Sequence, residues 1–451
     1  MSTLNTNFSP SIIEEIINKS KRIFFIGIGG ISVSSLAKYC HTLGKEIFGY
    51  DEKRTEISEE LEKYCHIKYY SSPDNVKGMD MVIYTTATNE SSFEYSYAKK
   101  TGIPLISRAN FLGYIMTKYK KRIGVCGMHG KSTVTNMLCH IFNEAKKNPT
   151  VFCGAKINGS SKSEQISNSE YCIFEACEYL NAFLSLNPTQ SVITNIDYDH
   201  PDFFKNIDDA LSSFQKYADK NERIYVNGDD VTSKRIFHKN AITYGIHNDA
   251  DYMAKIRHVS QKNEFYVYKN DTYLGKCTLN LFGEHFVYDA LASFCVAYEN
   301  GIDARTIVDA LSSFKGTDRR MQLIKKTDTG ADVFIDYAHH PTEISASFAS
   351  LKDMGYKSVA CVFQPHTYSR TFYLYDEFKK VLGCVDKLVI APSYSAREEN
   401  TFDFTDKGFA HDCGGVFLDD YSEIVNYVTK LNTEAIIIMG AGSICELAKF
   451  F

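Results

Sequence analysis

The stretch Gly127-Met128-His129-Gly130-Lys131-Ser132-Thr133 constrains this chain more than any other. It follows the apolar run Ile123-Gly124-Val125-Cys126 and leads into Val134-Thr135-Asn136-Met137-Leu138-Cys139-His140-Ile141-Phe142, a pattern that predicts strand, glycine turn and helix. The glycines let successive backbone N–H groups turn inward on a phosphate. The helix N-terminus adds partial positive charge, and Lys131 adds a full one. Ser132 stands where a P-loop puts the hydroxyl that holds Mg2+. The usual P-loop has a glycine five residues before the Gly of Gly-Lys-Ser, and Val125 occupies that position. The loop is therefore the short form Gly-x-x-Gly-Lys-Ser, and a phosphate site is expected in preference to a chance lysine in a turn.

A chain of 451 residues has room for about three domains, each able to bury its own core. With 44% hydrophobic and 23% charged residues it has an ordinary globular composition, and a net charge of -5 gives no general reason to bind nucleic acid or an acidic membrane. The basic cluster Lys118 to Arg122 is short and reads as a solvated linker, since a nucleic-acid surface needs a broader patch. No apolar run approaches the ~20 residues that cross a bilayer. The polar, uncharged stretch Met1 to Pro10 resembles neither a secretory nor a transit peptide. Thirteen cysteines, scattered without a C-x-x-C pair and partly inside apolar runs, point to a reducing, cytoplasmic setting and give no support for a zinc site.

In chain order, Ser9-Pro10-Ser11 with Glu14 precedes an amphipathic isoleucine pattern and predicts a helix capped through Ser11 and Glu14. Arg22 to Ile26 then enters the glycine turn Gly27-Ile28-Gly29-Gly30-Ile31, a helical pattern follows through Leu36, Ala37 and Tyr39, and the strand Glu46 to Tyr50 ends in Asp51. This is a βαβ unit with an acid about 20 residues past the glycines, as in dinucleotide-binding folds. Ser32 takes the place of the third fingerprint glycine, so the turn suits a diphosphate at a helix N-terminus better than a nicotinamide cofactor. Further strands are expected at Met81–Tyr84, Ile103–Ile106, Tyr171–Glu175, Ser191–Asn195, Val333–Ile335, Val359–Phe363, Leu388–Ile390 and Ala435–Met439. Residues 241–282 alternate apolar and polar with turn residues between, which predicts a small antiparallel insertion. Helices are expected from His285 to Phe314. The predicted organisation is α/β in three domains: a Rossmann-like domain over 1–117, a central P-loop ATPase-like domain over 118–315 and a second Rossmann-like domain over 316–451.

Several motifs fall in an order that resembles the Mur ligases of peptidoglycan synthesis, and most closely their alanine-adding branch. They are Ile26-Gly27-Ile28-Gly29-Gly30, the loop Gly127 to Thr133, Glu175-Ala176-Cys177-Glu178, Thr194-Asn195-Ile196-Asp197-Tyr198-Asp199-His200, Gly283-Glu284-His285, Gly316-Thr317-Asp318-Arg319-Arg320, Asp336-Tyr337-Ala338-His339-His340-Pro341-Thr342-Glu343, and Phe363-Gln364-Pro365-His366-Thr367-Tyr368-Ser369-Arg370-Thr371. The resemblance covers nearly the whole chain. It implies a monomer or weak homodimer that uses ATP and Mg2+ to activate the lactyl carboxylate of UDP-N-acetylmuramate as an acyl phosphate, which the amine of L-alanine then attacks.

The resemblance also distributes roles. Gly27, Gly29, Gly30, Ile31 and Asp51 are expected on the UDP-sugar. Gly127 to Thr133, His285, Phe286, Asp289, Arg319 and Asp336 are expected on ATP, and Ser132, Glu175 and His200 on metal. Lys131, Glu175, His200, His339 and Arg370 are expected at the chemistry, His339, His340 and Arg370 being candidates to hold alanine and the transferring phosphate. The residue types suit this, because a carboxylate meeting ATP brings anions together and the site must neutralise charge as it develops. Arg319-Arg320 as a solvated hinge and Glu178 as a surface salt bridge stay open as alternatives. The chain departs from the family pattern at Met128, Ser132, Cys177, Leu180, Thr367, Phe286 and Asp289. The last two replace asparagines, leaving Phe286 to stack on a base and Asp289, if ionised, with only the acceptor half of an amide. A ligase for another UDP-sugar or a preformed peptide, and a weakly catalytic muramyl-precursor-binding protein, remain alternative readings.

Overall fold

The computed structural model describes residues 8–85, 88, 92–156, 163–259, 262–395 and 398–451. Of the polar N-terminal stretch, residues 1–7 lie outside the described residues. Among the described residues, three sheets follow one another along the chain. The first has five parallel strands in the order Cys65–Lys68, Glu46–Tyr50, Arg22–Ile26, Met81–Tyr84 and Leu105–Ser107. Chain order reverses at Arg22–Ile26, so the crevice of this doubly wound sheet opens at the turn Gly27 to Gly30. Gly30 caps the helix Ile31–Thr42 without any side-chain hydrogen bond, which leaves the first helical N–H groups free.

The central sheet has ten strands, with Lys121–Cys126 between Gln190–Ile193 and Tyr171–Glu175, all parallel. Tyr171 to Phe174 are buried, as strands covered on both faces should be, and only Glu175 at the C-terminal end is partly open. The expected antiparallel insertion is smaller than the alternating pattern suggested. Ala241–Gly245 pairs in parallel with both Arg223–Asn227 and Tyr252–Val259. Only Tyr252–Val259, Lys262–Lys269 and Thr272–Leu279 form an antiparallel meander, and it extends the main sheet instead of standing apart. Alternation reports one covered face and says nothing about strand direction. Here Phe265, Val267 and Cys277 share a core with Ile307 and Leu311 of the helix Ala304–Ser313.

In the last sheet Asp332–Asp336, Ala435–Met439, Val359–Phe363, Lys387–Ile390 and Val416–Phe417 run parallel, with Gln322–Lys326 antiparallel on the outer edge. Two local expectations change. The first helix, Pro10–Lys19, is capped by Ser9, whose side chain accepts from the N–H of Ile12; Pro10 fixes the helix start two residues earlier than a Ser11 cap would allow. Lys118 to Arg122 is not a solvated linker either. Lys118 pairs with Glu14, and Lys121 and Arg122 begin the central strand, Arg122 donating to the carbonyl of Asn187 at 2.6 Å.

The domains are tied together around the site. Lys38 Nζ donates to Glu164 Oε1 at 2.8 Å, linking the first sheet's helix to the central domain. The last domain closes on the central one through Arg370 Nε to Asp199 Oδ1 (2.8 Å), Thr342 Oγ1 to Asp197 Oδ2 (2.7 Å) and the Asp318 N–H to the carbonyl of Lys156 (2.8 Å).

Candidate active site

The glycine loop sits at the C-terminal end of Lys121–Cys126 and opens the helix Lys131–Glu144. Gly127 has φ 134°, and a Cβ there would lie 2.0 Å from Thr194 Oγ1. Gly130 caps the helix at φ 83° with no side-chain hydrogen bond, so its first N–H groups face outward. Thr194 and Asn195, just past the neighbouring strand, hold the loop in shape. Asn195 Oδ1 accepts from the N–H of His129 at 2.9 Å, and Thr194 Oγ1 donates to the His129 carbonyl at 2.6 Å.

Beside the loop, Ser132 Oγ donates to Glu175 Oε2 at 2.8 Å, and the same carboxylate oxygen accepts from the Gly154 N–H at 2.9 Å. A hydroxyl and a carboxylate meeting at a strand end are hard oxygen donors of the kind Mg2+ takes. Lys131 Nζ turns back onto the carbonyls of Gly127 (2.6 Å) and Met128 (3.0 Å) and pairs with Glu178 Oε2 at 3.0 Å. Burial works against its charge, but Glu178 holds its pKa above the ordinary lysine value. Glu178 is therefore no surface salt bridge. It is 2% exposed, its carboxyl is kept below its usual range by Lys131 and His200 against the cost of burial, and His200 Nε2 lies 3.3 Å away.

These groups line a cleft of about 920 Å³ to which all three domains contribute. Ile31, Arg54 and Thr55 come from the first, Lys131, Ser132, Glu175 and His200 from the second, and Arg319, Arg320, His339 and Glu343 from the third. A second chamber of about 380 Å³ lies between the central and last domains, with His285, Phe286, Asp289 and Asp336 in its wall. Gly130, Arg320 and Glu343 border both spaces, so the two meet over the start of the phosphate-loop helix. Arg320 is largely buried, lies over the Tyr337 ring at 4.9 Å and pairs with Glu343 at 3.3 Å. The solvated-hinge alternative for it falls. Arg319 Nη2 donates to the carbonyl of Gly440 at 3.1 Å, reaching across to the end of the last parallel strand.

Asp289 differs in protonation from the ionised group considered above. Burial raises its pKa to about 8 against the pull of Arg320, so at neutral pH it is largely the neutral acid. A neutral carboxyl both donates and accepts, as an asparagine amide does. Asp336 is raised to about 6, again by burial with Arg320 opposing, and accepts from Ser347 Oγ at 2.7 Å. Phe286 is 2% exposed and belongs to the central core while its ring, 4.1 Å from that of His285, borders the chamber.

The predicted residues thus fall into three sets. Met128, Gly130, Lys131 and Ser132 of the loop converge with Glu175, His200, Ile31, Arg319 and His339 on the large cleft, and His129 and Thr133 with His285, Phe286, Asp289 and Asp336 on the smaller chamber. Gly27, Gly29 and Gly30 line neither space and lie at the turn that follows Arg22–Ile26. Asp51 Oδ2 accepts from the Gly29 N–H at 2.8 Å, so that carboxylate braces the turn. Arg370 sits behind the cleft, 5% exposed, with Nε on Asp199 and Nη1 3.2 Å from His366 Nδ1. Its Nε and Nη1 are engaged by protein partners, where the resemblance made Arg370 a candidate to hold alanine and the transferring phosphate. His340 Nε2 reaches the Tyr198 carbonyl at 3.2 Å. Sequence reasoning passed over Glu178, Arg320 and Glu343 as site residues. Glu178 lies three residues after Glu175, and Glu343 sits in the first turn of the helix Pro341–Asp353, placements that carried a usable signal.

Comparison with known proteins agrees with this layout. Residues 22–120 match the Mur ligase family, catalytic domain; residues 125–297 the Mur ligase middle domain; and residues 319–442 the Mur ligase, glutamate ligase domain. The chain is 38% identical to the UDP-N-acetylmuramate–L-alanine ligase of Caldanaerobacter subterraneus subsp. tengcongensis, over 96% of this chain and 98% of that one. The crystal structure of the UDP-N-acetylmuramate-alanine ligase of Thermotoga maritima superposes with a TM-score of 0.82 at 25% identity, covering 95% of this chain and 98% of that one. A murein peptide ligase from Psychrobacter arcticus shares the fold, with a TM-score of 0.72 at 21% identity over 95% and 98% of the two chains.

Proposed function

The chain belongs to the Mur ligase family, and from that premise we propose how its residues divide the work of joining L-alanine to UDP-N-acetylmuramate. It is an ATP-dependent, amide-forming ligase of peptidoglycan precursor synthesis. The observation that carries the proposal is the convergence of three domains on one cleft whose floor is the Lys131–Ser132 helix start.

The smaller chamber takes the nucleoside of ATP, with Asp289 donating to and accepting from the base edge and Asp336 near the ribose. The phosphates pass over Gly130, where the two spaces meet, into the large cleft. There the loop N–H groups hold the β/γ-phosphates, and Lys131 swings from the Gly127 and Met128 carbonyls onto them. The UDP-sugar enters from the crevice at Gly27 to Ile31 and brings its lactyl carboxylate to the γ-phosphate. That carboxylate oxygen bonds to phosphorus as ADP leaves, giving an acyl phosphate. The amine of alanine then adds to the activated carbonyl, and the tetrahedral intermediate collapses to the amide with loss of phosphate and a proton.

Arg319, Arg320 and Lys131 offset the anionic charge gathered in this sequence. Ser132 and Glu175, with His200 alongside, would hold Mg2+, which when bound neutralises phosphate charge beyond what the cations of the protein supply. Arg370 acts through Asp199, keeping the last domain docked so that His339 and the incoming alanine meet the cleft.

Phosphate release from ATP with UDP-N-acetylmuramate and Mg2+, measured with each amino acid and with a muramyl tripeptide in turn, tests the assignment. Release that depends on L-alanine is the expected result. Release that needs the tripeptide would move the chain to the peptide-adding branch, and no release with any acceptor would leave a binding protein.

A further inference from the structure

We propose that His129, Asp197 and His340 form a binding site for a borderline divalent cation of the Zn2+ type that clasps the central and last domains together. The three side chains come from three separate segments: the phosphate loop, the turn after Gln190–Ile193 and the N-cap of the helix Pro341–Asp353. Their nearest donor atoms all lie within 4.8 Å of one another, with His340 buried and the other two half-buried. His129 Nε2 is 3.5 Å from Asp197 Oδ2, and His340 Nδ1 is 3.9 Å from the same oxygen. A tetrahedral zinc ion with bonds of about 2.0–2.1 Å sets its ligand atoms about 3.3–3.5 Å apart. The two sides that meet at Asp197 Oδ2, 3.5 and 3.9 Å, are within about 0.6 Å of that spacing, and the third is no longer than 4.8 Å.

The far side of each ring supports the same reading. A metal-bound histidine keeps its other ring N–H on a carboxylate or a backbone carbonyl, which fixes the tautomer and aims the lone pair at the ion. His129 Nδ1 faces Glu343 Oε1 at 3.3 Å, and His340 Nε2 faces the Tyr198 carbonyl at 3.2 Å. With those partners on the far-side ring protons, a bound ion takes lone pairs on His129 Nε2 and His340 Nδ1, displacing the second proton that Asp197 and Glu343 hold on the free His129 ring. His129 Nε2 is buried and has no hydrogen-bond partner among the described residues. His340 Nδ1 accepts only a long bond of 3.3 Å from the Thr342 N–H. Asp197 Oδ2 is held by Thr342 Oγ1 at 2.7 Å and supplies the negative charge. Two imidazoles and one carboxylate select zinc, cobalt or nickel over Mg2+, which takes mainly oxygen ligands. Sequence spacing gave no support for zinc because these ligands are 68 and 143 residues apart along the chain.

Since His129 and Asp197 belong to the central domain and His340 to the last, the site is complete only while the two are closed. The test uses the whole chain without nucleotide or sugar, so its result is independent of the ligase assignment. Zn2+ alone is titrated calorimetrically in excess Mg2+, and Co2+ is then used for its visible spectrum. One tight equivalent is expected, lost in His129→Gln and in His340→Asn, the latter chosen because asparagine keeps the helix N-cap. Glu343→Gln is expected to weaken the ion by about 10- to 100-fold. Circular dichroism melting verifies that each variant is folded, and Asp197→Asn provides a third ligand change should one histidine variant fail that check. The Co2+ complex is expected to show four-coordinate visible bands without the near-ultraviolet thiolate charge transfer that cysteine binding produces. An equivalent retained in the folded ligand variants, a thiolate band, or no saturable binding at all would overturn the proposal.

Discussion

Replacing Asp289 with asparagine is expected to stabilise the protein, and increasingly so as pH rises. The carboxyl is buried in the helix Glu284–Glu299, and that burial keeps it protonated up to about pH 8 against the pull of Arg320. In the unfolded chain it ionises near the ordinary aspartate value of 3.8. Between these two values the unfolded chain has released a proton that the native chain keeps. Stability is therefore greatest below the unfolded value and falls by about 1.4 kcal/mol per pH unit until the native group itself ionises near pH 8, above which this loss levels off. At pH 7 the loss is on the order of 4 kcal/mol, and at pH 5 on the order of 2 kcal/mol. The Asp289→Asn variant would not be subject to this loss, because the amide does not titrate, and it keeps the donor and acceptor of the neutral acid. For a domain of about 200 residues, 1 kcal/mol moves Tm by ~2–4 °C. Calorimetric scans of wild type and Asp289→Asn should thus differ by on the order of 10 °C in the central-domain transition at pH 7 and by only a few degrees at pH 5, while ATP use persists. A gap that does not change between pH 5 and 8, or a variant that melts below wild type at pH 8, would refute the reasoning.

Other expectations can be measured alongside. Lys131→Ala should lower the rate by more than tenfold, a loss above ~1.4 kcal/mol, while UDP-sugar affinity measured calorimetrically stays nearly unchanged, since that crevice belongs to another domain. Breaking the Arg370–Asp199 pair by Arg370→Ala leaves a buried carboxylate without its guanidinium, which costs about 3–5 kcal/mol where the domains dock. Small-angle scattering of that variant should show a larger radius than wild type, and an unchanged radius would remove the pair from closure. Glu178→Gln should lower the pKa of Lys131 by removing its nearest negative partner, read as an increased rate of modification of that lysine by an amine-directed reagent at pH 9.

Much of the α/β frame was readable because its strands are short buried runs ended by glycine or polar residues, as at Ile123 to Gly127 and Ile173 to Glu175. Strand direction was not readable. The pairing of Ala241–Gly245 with Arg223–Asn227 depends on partners distant in sequence, and alternation looks the same in parallel and antiparallel edges. The loop and the carboxylate beside it were legible from local spacing, since Gly127 to Ser132 and Glu175 each sit at a strand end. Glu178, Arg320 and Glu343 were harder to assign because a charged residue in a loop is solvated by default, and only the folded contacts reveal the burial that makes these three pair. Asp289 needed the surroundings of its helix face before its protonation could be stated. Arg370 looked free in sequence because its partner, Asp199, lies 171 residues away.

The account turns on activation of the lactyl carboxylate by the γ-phosphate, and the fate of that carboxylate's oxygen atoms tests it most directly. UDP-N-acetylmuramate carrying heavy oxygen in both carboxylate positions would be turned over with ATP, Mg2+ and L-alanine, and the released phosphate analysed by mass. The carboxylate oxygen that attacks phosphorus must leave with it when the amine displaces phosphate. One heavy oxygen per inorganic phosphate is therefore predicted, with the other kept in the new amide. Phosphate free of label, formed at the same rate as the amide, would contradict the acyl phosphate and with it the roles given to the cleft.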